Sequence, residues 1–405
     1  MKRRKVASID IGTSKICTVM ADSDGEDIRV LGVGVTPSKG MQKGLVINLN
    51  DAKEAIRQSV KTAEQAVGYK LESAIVSING RHISSVNNRG VIAITDNKQT
   101  IKPDDVYRVL KVAQNIEHTS AAGSMVLHLI PQTYAVDGQE GIKNPVGMHG
   151  FRLDVDTHIV TAATASVENL TKCIHTAGIE IEQLVFAPLA SAEAILTDDE
   201  KQTGVIMADI GGGTTGITAY YNGNIFHTSV LPVSGYSITH DISVGLGMSV
   251  ELAEYIKQKY GSVAPGEDKV SDRTLQEEGR AIRYAELYEI IRTRVEEMLR
   301  LILLELPSDY NKYIRSGIVL TGGASNLPGI TELGLEVTHL PVRIGTPPKM
   351  YGISDSLIDP AFSTAVGLLM WKHGSRLVLK ENEGGSSNRS FISDLTGLFG
   401  RKQRS

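Results

Sequence analysis

The feature that most constrains the fold of this chain is a short motif that occurs twice. Asp-Ile-Gly followed by hydroxyl-bearing residues begins at Asp10 and again at Asp209, each time between two apolar, strand-like runs. Gly- and hydroxyl-rich turns between such runs are typical of β-hairpins. One supersecondary unit that returns far down the chain predicts a duplicated α/β fold rather than a solenoid of short repeats. The two halves are then able to close on a common ligand.

Both turns have the composition of a phosphate-binding loop. Glycine lacks a Cβ and lets backbone amides approach an anion, and an Asp at the end of the first strand suits Mg²⁺, which keeps several waters. Ordinary hairpin turns would explain one copy, but two copies in the same order favour a shared phosphate site. The candidate phosphate ligands are Gly12, Thr13, Ser14, Lys15, Gly211, Gly212, Gly213, Thr214 and Thr215, with Asp10 and Asp209 as metal-holding carboxylates.

A third glycine-rich turn, Gly322-Gly323-Ala324, follows the apolar run that begins at Ile318. Glycines in such a turn let a flat base or a ribose lie against the backbone. An ordinary strand-ending turn would give the same pattern. Its order after the two phosphate turns favours a nucleoside contact.

Composition narrows the class of protein. At 405 residues the chain exceeds the size of one hydrophobic core, so two or more domains are expected. A net charge of -4 disfavours a nucleic-acid binder, and two cysteines cannot form a disulfide scaffold. No window reaches the roughly 18 apolar residues of a spanning helix, and Asp10 interrupts the apolar run behind the basic N-terminus. We therefore expect a cytoplasmic protein.

Apolar spacing predicts several helices. Leu49 to Val67 is amphipathic, with Asn50 as a plausible N-cap. Val250 to Tyr260 and Leu275 to Leu306 are helical by spacing and composition. Between the two motifs, strand-like runs flank a helix-like segment from Pro103 to Asn115 and predict an inserted small α/β subdomain.

The C-terminus carries a second functional signal. From Glu381 the composition is that of a linker, and Phe391 to Ser405 then places apolar residues at helical spacing beside a basic end. An apolar face with basic residues is what binding to an anionic lipid surface requires. Docking of the tail on the protein's own surface is the alternative. The membrane-binding candidates are Phe391, Ile392, Leu395, Leu398, Phe399, Arg401 and Lys402.

The ordered set of three turns resembles the actin/Hsp70/sugar-kinase ATPase superfamily, and nearly the whole chain resembles the FtsA family of actin-like bacterial cell-division proteins. This resemblance implies an actin-like (ribonuclease H-like) duplicated ATPase fold with two lobes around a nucleotide cleft and an inserted SHS2 subdomain. It implies ATP and Mg²⁺ as ligands. It places adenosine near Glu254, Lys257, Gly322, Gly323 and Ala324, and it places two crossing helices, on which the halves hinge, at 188–194 and 361–367.

The resemblance also suggests a catalytic role for two carboxylates. Asp209 would act beside the phosphates, and Glu193, near the first crossing helix, would orient or activate the attacking water. A solvated helix carboxylate is the competing interpretation of Glu193. Any ATPase activity is expected to be slow, and the chain is expected to act chiefly as a nucleotide-dependent adaptor.

The expected domains follow from these assignments. The first lobe comprises 1–81 and 164–195, the inserted subdomain 82–163, and the second lobe 196–380, with a helical subdomain at about 240–310. A flexible linker at 381–390 and an amphipathic membrane-targeting helix at 391–405 complete the chain.

The functional expectation is a membrane adaptor of cell division. By resemblance, such a protein polymerises head to tail, holds the FtsZ ring to the cytoplasmic membrane at the division septum, and recruits later divisome proteins. Its partners would be the FtsZ C-terminal tail, further copies of itself, anionic lipid and other divisome membrane proteins, with no nucleic acid. Two alternatives stay open, a type IV pilus assembly adaptor of the FtsA-like fold and a soluble small-molecule kinase of the same superfamily.

Overall fold

The structure, a computed structural model, describes residues 3–25, 27–95, 99–115, 123–266, 273–352 and 355–371. These residues divide into two compact units. Within the described ranges, the larger comprises 3–82, 166–223 and 227–370, and the smaller comprises 83–165, 224–226 and Trp371. The predicted linker at 381–390 and the predicted helix at 391–405 lie outside the described residues.

The helices and strands alternate along the chain, as in a mixed α/β protein. The elements up to the second motif are β1 (Arg4–Ile11), β2 (Lys15–Ser23), β3 (Ile28–Pro37), β4 (Met41–Gln42), β5 (Leu45–Val46), α1 (Leu49–Val67), β6 (Ser73–Ile78), β7 (Ile83–Ala93), α2 (Pro103–Gln114), β8 (Ser124–Val136), β9 (Gln139–Ile142), β10 (Arg152–Ala163), α3 (Thr164–Thr176), β11 (Glu180–Phe186), α4 (Ala187–Ile195) and α5 (Asp198–Thr203). The rest are β12 (Val205–Ile210), β13 (Thr215–Tyr221), β14 (Asn224–Leu231), α6 (Gly235–Gly245), α7 (Val250–Tyr260), β15 (Thr274–Glu277), β16 (Arg280–Arg283), α8 (Tyr284–Leu304), β17 (Ile318–Thr321), α9 (Ile330–Thr338), β18 (Val342–Ile344), β19 (Tyr351–Gly352) and α10 (Ser363–Met370).

Two sheets of matching construction form the framework of the larger unit. Their strand orders are β11-β6-β1-β2-β3-β19 and β14-β13-β12-β17-β18. In each, the strand that ends in the Asp-Ile-Gly motif pairs antiparallel with the next strand and parallel with a later one on its other side. The duplication predicted from the repeated motif is therefore a duplication of sheet topology. The carboxyl ends of the parallel strands meet at one edge of each sheet, where the motifs lie.

Helix α1 packs on β3 and has the bounds predicted from apolar spacing. Its N-cap is Asn48 rather than Asn50: the Asn48 side chain accepts hydrogen bonds from the amides of Asn50 and Asp51. The Asn48 backbone is extended, as an N-cap requires, whereas Asn50 already lies within the helix. The Ser59 hydroxyl of α1 donates to the carbonyl of Gly34, where the absence of a side chain lets helix and strand approach closely.

The helix predicted for 275–306 begins later than expected. Residues Thr274–Glu277 and Arg280–Arg283 form the antiparallel hairpin of β15 and β16, and α8 begins only at Tyr284. Glu278 and Gly279, between the two strands, both have positive φ, which suits a tight hairpin turn and is incompatible with a continuous helix. Helical spacing from Tyr284 onward was correct, and its extension back through Glu278-Gly279 was wrong.

The smaller unit is a four-stranded antiparallel sheet, in the order β7-β10-β8-β9, covered by α2. The largest fully buried side chains of its core include Leu110 from the helix and the sheet residues Leu129, Leu153 and Ile159. On β10 the Asp154 carboxylate is only 3% exposed and accepts hydrogen bonds from Arg89 and Arg152. Burial alone would raise the pKa of Asp154, but the two guanidinium groups outweigh it and hold that pKa below its usual value.

Candidate functional site

The turns that follow β1 and β12 close in the same way. The amide of Gly12 donates to the carbonyl of Lys15, and the amide of Gly211 donates to the carbonyl of Thr214, each over 3.0 Å. Within the described part of the chain, no acceptor faces the amides of the residues in between, Thr13, Ser14, Gly212 and Gly213. Backbone amides held in a closed turn without a partner are suited to binding an anion.

The two turns face each other inside the larger unit. A Cβ on Gly212 would collide with the Ser14 side chain, and one on Gly213 would collide with Thr13. A third contact joins the loop after β6 to the second turn, where the Asn79 side chain donates to the Thr214 hydroxyl over 3.3 Å. A side chain at either position would therefore force the opposing turn to shift. The site has the form of two loops around one space.

Asp10, the last but one residue of β1, is held by the neighbouring parallel strand. The Ser77 hydroxyl of β6 donates to its Oδ1 over 2.8 Å, and the same hydroxyl accepts from the amide of Ile11. Burial raises the pKa of Asp10 from 3.8 to about 6, although the nearby Lys15 and the Ser77 hydrogen bond act in the opposite direction. A nearby cation would stabilise the ionised form of a carboxylate that is buried in this way.

Asp209 is the equivalent residue of β12, but its partners come from helices. The hydroxyls of Ser191 in α4 and Thr364 in α10 both lie within hydrogen-bond distance of its Oδ2, at 2.6 and 3.2 Å. Burial raises the pKa of Asp209, and the two hydroxyl donors and Lys15 counteract part of that effect. The two Asp residues of the repeated motif therefore line one cavity but accept hydrogen bonds from different elements, a strand for Asp10 and two helices for Asp209.

This cavity has a volume of about 1120 Å³. Pockets for small molecules and cofactors usually have volumes of about 300–1,000 Å³, so a nucleotide fits with space to spare. Fifteen of the residues proposed from sequence for the ligand line it: Asp10, Gly12, Thr13, Ser14, Lys15, Asp209, Gly211, Gly212, Gly213, Thr214, Glu254, Lys257, Gly322, Gly323 and Ala324. Residues far apart in the chain are thus brought to one site.

A polar cluster forms one end of the cavity. The Lys257 ammonium donates to the carbonyl of Gly235, the Thr239 hydroxyl and the Glu254 carboxylate, at 3.1, 2.8 and 2.7 Å. Burial alone would raise the pKa of Glu254, but Lys257 and Thr239 outweigh it and hold that pKa below its usual value. Three acceptors use the three donors of the ammonium. Lys257 therefore fixes α6 to α7 and leaves Glu254 as the ionised, ligand-facing group.

The third turn also lines the cavity, and a Cβ on Gly235 would lie 3.3 Å from Ala324. Gly322 has a φ of +83°, and its amide donates to the carbonyl of Pro360. A side chain there would also collide with the Asp209 carboxylate, so both conformation and space require glycine. Next to it Lys15 donates to the carbonyl of Ala361 over 2.5 Å and lies 4.4 Å from the centre of the Phe362 ring.

Two of the predicted residues are not brought to the cavity. Thr215 is fully buried, and its hydroxyl donates to the carbonyl of Val233. Glu193 does not line the cavity, and its carboxylate forms an ion pair with Lys201 over 3.3 Å. The residue of α4 that lines the cavity is Ala187, at the start of the helix. The membrane-binding candidates from Phe391 to Lys402 lie outside the described residues.

Sequence reasoning missed several lining residues. They are polar or small groups on elements that no motif marks: Ser77, Asn79, Ser234, Thr239, Gln258, Arg294 and Thr364, with the β4–β5 hairpin residues Met41 to Gly44. Ser77 and Asn79 had a usable signal, because β6 runs parallel to β1 and parallel strands end at the same edge. The others depend on how the helices pack.

Comparison with known proteins gives matches to two family descriptions. Residues 206–367 match "Cell division protein FtsA", and residues 80–161 match "SHS2 domain inserted in FTSA". Cell division protein FtsA of Pseudomonas aeruginosa is 38% identical, over 96% of this chain and 94% of the relative. That of Escherichia coli (strain K12) is 35% identical, over 93% and 92%.

Solved structures with the same fold are more distant in sequence. A PilM-PilN type IV pilus biogenesis complex matches with a TM-score of 0.67 at 16% identity, over 91% of this chain and 98% of the other. MreB 5 of Spiroplasma citri bound to AMPPNP matches with a TM-score of 0.55 at 14% identity, over 90% and 95%. These neighbours confirm the actin-like fold. Together with two facing turns from a duplicated sheet and an inserted SHS2 domain, the identity to relatives over almost their whole length shows that this chain belongs to the FtsA family of cell-division proteins.

Proposed function

We propose that this chain is an ATP-binding membrane adaptor of bacterial cell division. The observation that carries the proposal is the meeting of the two Asp-Ile-Gly turns in one cavity, with amides free to receive phosphate oxygens. Gly12 to Lys15 and Gly211 to Thr214 would hold the phosphates from opposite sides. A ligand gripped by both turns favours their approach, so ATP would stabilise a closed arrangement of the two sheets.

The residues present fit a magnesium ion. Mg²⁺ binds through one or two carboxylates together with substrate phosphates and keeps several waters. Asp10 and Asp209 line the same cavity as the two turns and would hold the ion largely through water. When bound, the ion would neutralise part of the phosphate charge. The two carboxylates and the Lys15 ammonium would orient the phosphate chain.

The polar end of the cavity would take the adenosine. Glu254, held ionised by Lys257, offers oxygens that accept from ribose hydroxyls, and Gly322, Gly323 and Ala324 leave room for a flat ring. MreB 5 of Spiroplasma citri, which shares the fold, is described as bound to ADP in one structure and to AMPPNP in another. Those descriptions support a nucleotide, and the carboxylate beside the glycine-rich turn supports its orientation.

Hydrolysis would be slow and secondary to binding. Asp209 would act beside the phosphates. The catalytic role predicted for Glu193 has little support, because its carboxylate pairs with Lys201 and does not line the cavity. Ala187, which α4 presents instead, has no group that activates water. The cavity is better suited to retaining ATP than to rapid turnover.

The adaptor role would divide among the domains expected from the sequence. The two actin-like lobes would polymerise head to tail under the control of ATP, with the SHS2 subdomain contributing contacts. The helix expected at 391–405 would bind anionic lipid on the cytoplasmic face at the septum. Another surface would bind the FtsZ C-terminal tail and recruit later divisome proteins. Membership of the FtsA family supports this role. No helix among the described residues is long and apolar enough to cross a bilayer.

Sedimentation with anionic vesicles, with and without Mg-ATP, followed by electron microscopy of the pellet, tests the proposal. Filaments on lipid that require ATP are the expected result. Monomers that bind ATP but ignore lipid would overturn the adaptor role and favour a soluble kinase or a pilus-type adaptor.

Two variants separate the parts of this experiment. Deletion of 391–405 should abolish pelleting with vesicles and leave ATP affinity unchanged; vesicle binding that persists would exclude the tail as the anchor. Asp209→Ala should strongly weaken Mg-ATP affinity. Unchanged affinity would remove Asp209 from the site.

A further inference from the structure

Two hydroxyl groups from different helices converge on one oxygen of Asp209. Ser191 in α4 is 2.6 Å from Oδ2, Thr364 in α10 is 3.2 Å from it, and the two hydroxyls are 2.9 Å apart. Ser191 is fully buried and Thr364 is 8% exposed. The three groups form a closed triangle, in which Asp209 and Thr364 line the cavity and Ser191 lies behind them. Because each hydroxyl carries one proton, Ser191 donates to Asp209, and Thr364 donates either to Asp209 or to Ser191.

The orientation of Ser191 is not the default for a hydroxyl in a helix. Ser and Thr within helices commonly donate to the carbonyl four residues earlier. Thr62, Thr176 and Thr338 of this chain do so, at 2.6 to 2.9 Å. Ser191 has that carbonyl available at Ala187 and donates instead to the Asp209 carboxylate. Its rotamer therefore serves the carboxylate rather than the helix.

The same two helices are in direct backbone contact. A Cβ on Gly367 of α10 would collide with the carbonyl of Ala190 in α4, so the helices cross with no side chain between them. Helix α10 is also tied to both sheets. Ser8 of β1 donates to the carbonyl of Ala365, and the Thr321 hydroxyl of β17 lies 2.7 Å from that of Ser363. Asp209 is therefore hydrogen-bonded to two crossing helices, and one of them, α10, also contacts a strand of each sheet.

We infer that Ser191 and Thr364 are positioning residues that orient the Asp209 carboxylate toward the hydrated divalent cation of the bound nucleotide. With Oδ2 engaged by the two hydroxyls, Oδ1, which lies against Gly322, would be the oxygen left to accept from the water shell of the cation. The inference rests on the proposed Mg-ATP binding and extends it to groups outside the phosphate turns. Loss of a hydrogen-bond partner of a metal-holding carboxylate commonly lowers the metal affinity by about 10- to 100-fold.

The test compares ATP affinity of the full-length protein in Mg²⁺ and in EDTA, by titration calorimetry, for wild type, Ser191→Ala and Thr364→Val. The ratio of the two affinities isolates the contribution of the cation. We expect both variants to reduce this ratio by about 10-fold or more while ATP affinity in EDTA stays within about 2-fold. Thr364→Ser keeps the hydroxyl that Thr364→Val removes, and it should therefore show the wild-type ratio.

Thr218→Val is the matched control. Thr218 is fully buried in β13, and its hydroxyl has no partner among the described residues, so the substitution removes a hydroxyl from the same sheet without touching Asp209. It should leave the ratio unchanged. An unchanged ratio in Ser191→Ala and Thr364→Val would overturn the inference. So would an equal loss of affinity in Mg²⁺ and in EDTA, or a failure of Thr364→Ser to restore the ratio, because each indicates a purely structural role. A wild-type protein without Mg-dependent ATP binding would instead refute the proposed function itself.

Discussion

Replacement of Asp10 by Asn should stabilise the metal-free protein while it removes a carboxylate of the proposed Mg-ATP site. Burial raises the pKa of Asp10 from 3.8 to about 6, so the folded state binds its proton more tightly than the unfolded state does. The free energy of unfolding therefore falls as pH rises from about 4 to about 6, and the lost stability is not regained at higher pH. A shift of about 2 units corresponds to about 3 kcal/mol near neutral pH.

The Asn side chain keeps the packing and the hydrogen bond. Its amide oxygen accepts from Ser77 as the Asp10 carboxylate does, and its amide group faces the cavity. We therefore expect Asp10→Asn to raise the free energy of unfolding by up to about 3 kcal/mol near neutral pH, and by about half of that at about pH 5.

Urea unfolding in EDTA at the two pH values measures this difference, and titration with Mg-ATP should show a weakened affinity in the same variant. Ser77→Ala, which removes the donor and keeps the charge, is the matched control and should not stabilise. Equal stability of wild type and Asp10→Asn near neutral pH, or a gain that does not shrink at lower pH, would refute the reasoning.

Three further substitutions, two of them with a matched control, test other parts of the structure. Gly212→Ala should weaken ATP binding by about 10-fold or more, since its Cβ collides with Ser14; in Gly323→Ala the new Cβ would lie at an ordinary 3.6 Å from Ala361, and calorimetry should show a smaller effect. Glu193→Gln should change the rate of ATP hydrolysis, measured as phosphate release, by less than about 2-fold, because Glu193 pairs with Lys201 away from the cavity lining. A rate lowered by about 100-fold would instead support Glu193 as a general base. Asp154→Asn should cost the smaller unit about 1–3 kcal/mol in urea unfolding at neutral pH, and the difference should begin to shrink below about pH 4 and disappear once the pH is below the lowered pKa of Asp154, since the group stabilises the fold only while it is ionised. Asp156→Asn, 3.8 Å from Arg89 and 41% exposed, should cost less than about 1 kcal/mol, and an equal loss in both variants would contradict the assignment to burial.

The sequence predicted those parts of the site that local chemistry determines. Glycine, hydroxyl and carboxylate residues at the end of a strand are a local pattern, so the repeated turns at Asp10 and Asp209 were recognisable without any knowledge of packing. Helix α1 was predicted with its correct bounds because its apolar spacing is uninterrupted. The FtsA-type fold was predicted from the order of the turns and is confirmed by the comparisons.

Other parts depend on how the strands and helices are arranged in the folded chain rather than on a local motif. Ser77, Ser191 and Thr364 are single hydroxyl residues on a strand and two helices, and only the folded chain brings them to Asp10 and Asp209. Glu193 does not line the cavity because the packing of α4 decides which of its residues does, and that residue is Ala187. The β15–β16 hairpin was missed because its residues fit a helical pattern until Glu278 and Gly279 adopt positive φ.

The duplication provides two equivalent carboxylates but supports them differently. Asp10 is held by Ser77, a neighbour within its own sheet, whereas Asp209 is held by hydroxyls from α4 and α10. A ligand that binds Asp10 would act first on the sheet of β1, and on α10 through the Ser8 hydrogen bond of the same strand. One that pulls on Asp209 acts on the crossing of two helices, which Ser8 and Ser363 tie to both sheets. Because coupling between binding and conformation is reciprocal, an arrangement of α4 and α10 that favours the hydrated cation must itself be favoured when the cation binds. The second copy of the motif, rather than the first, is thus the one through which the nucleotide's cation would bias the relation between the two halves.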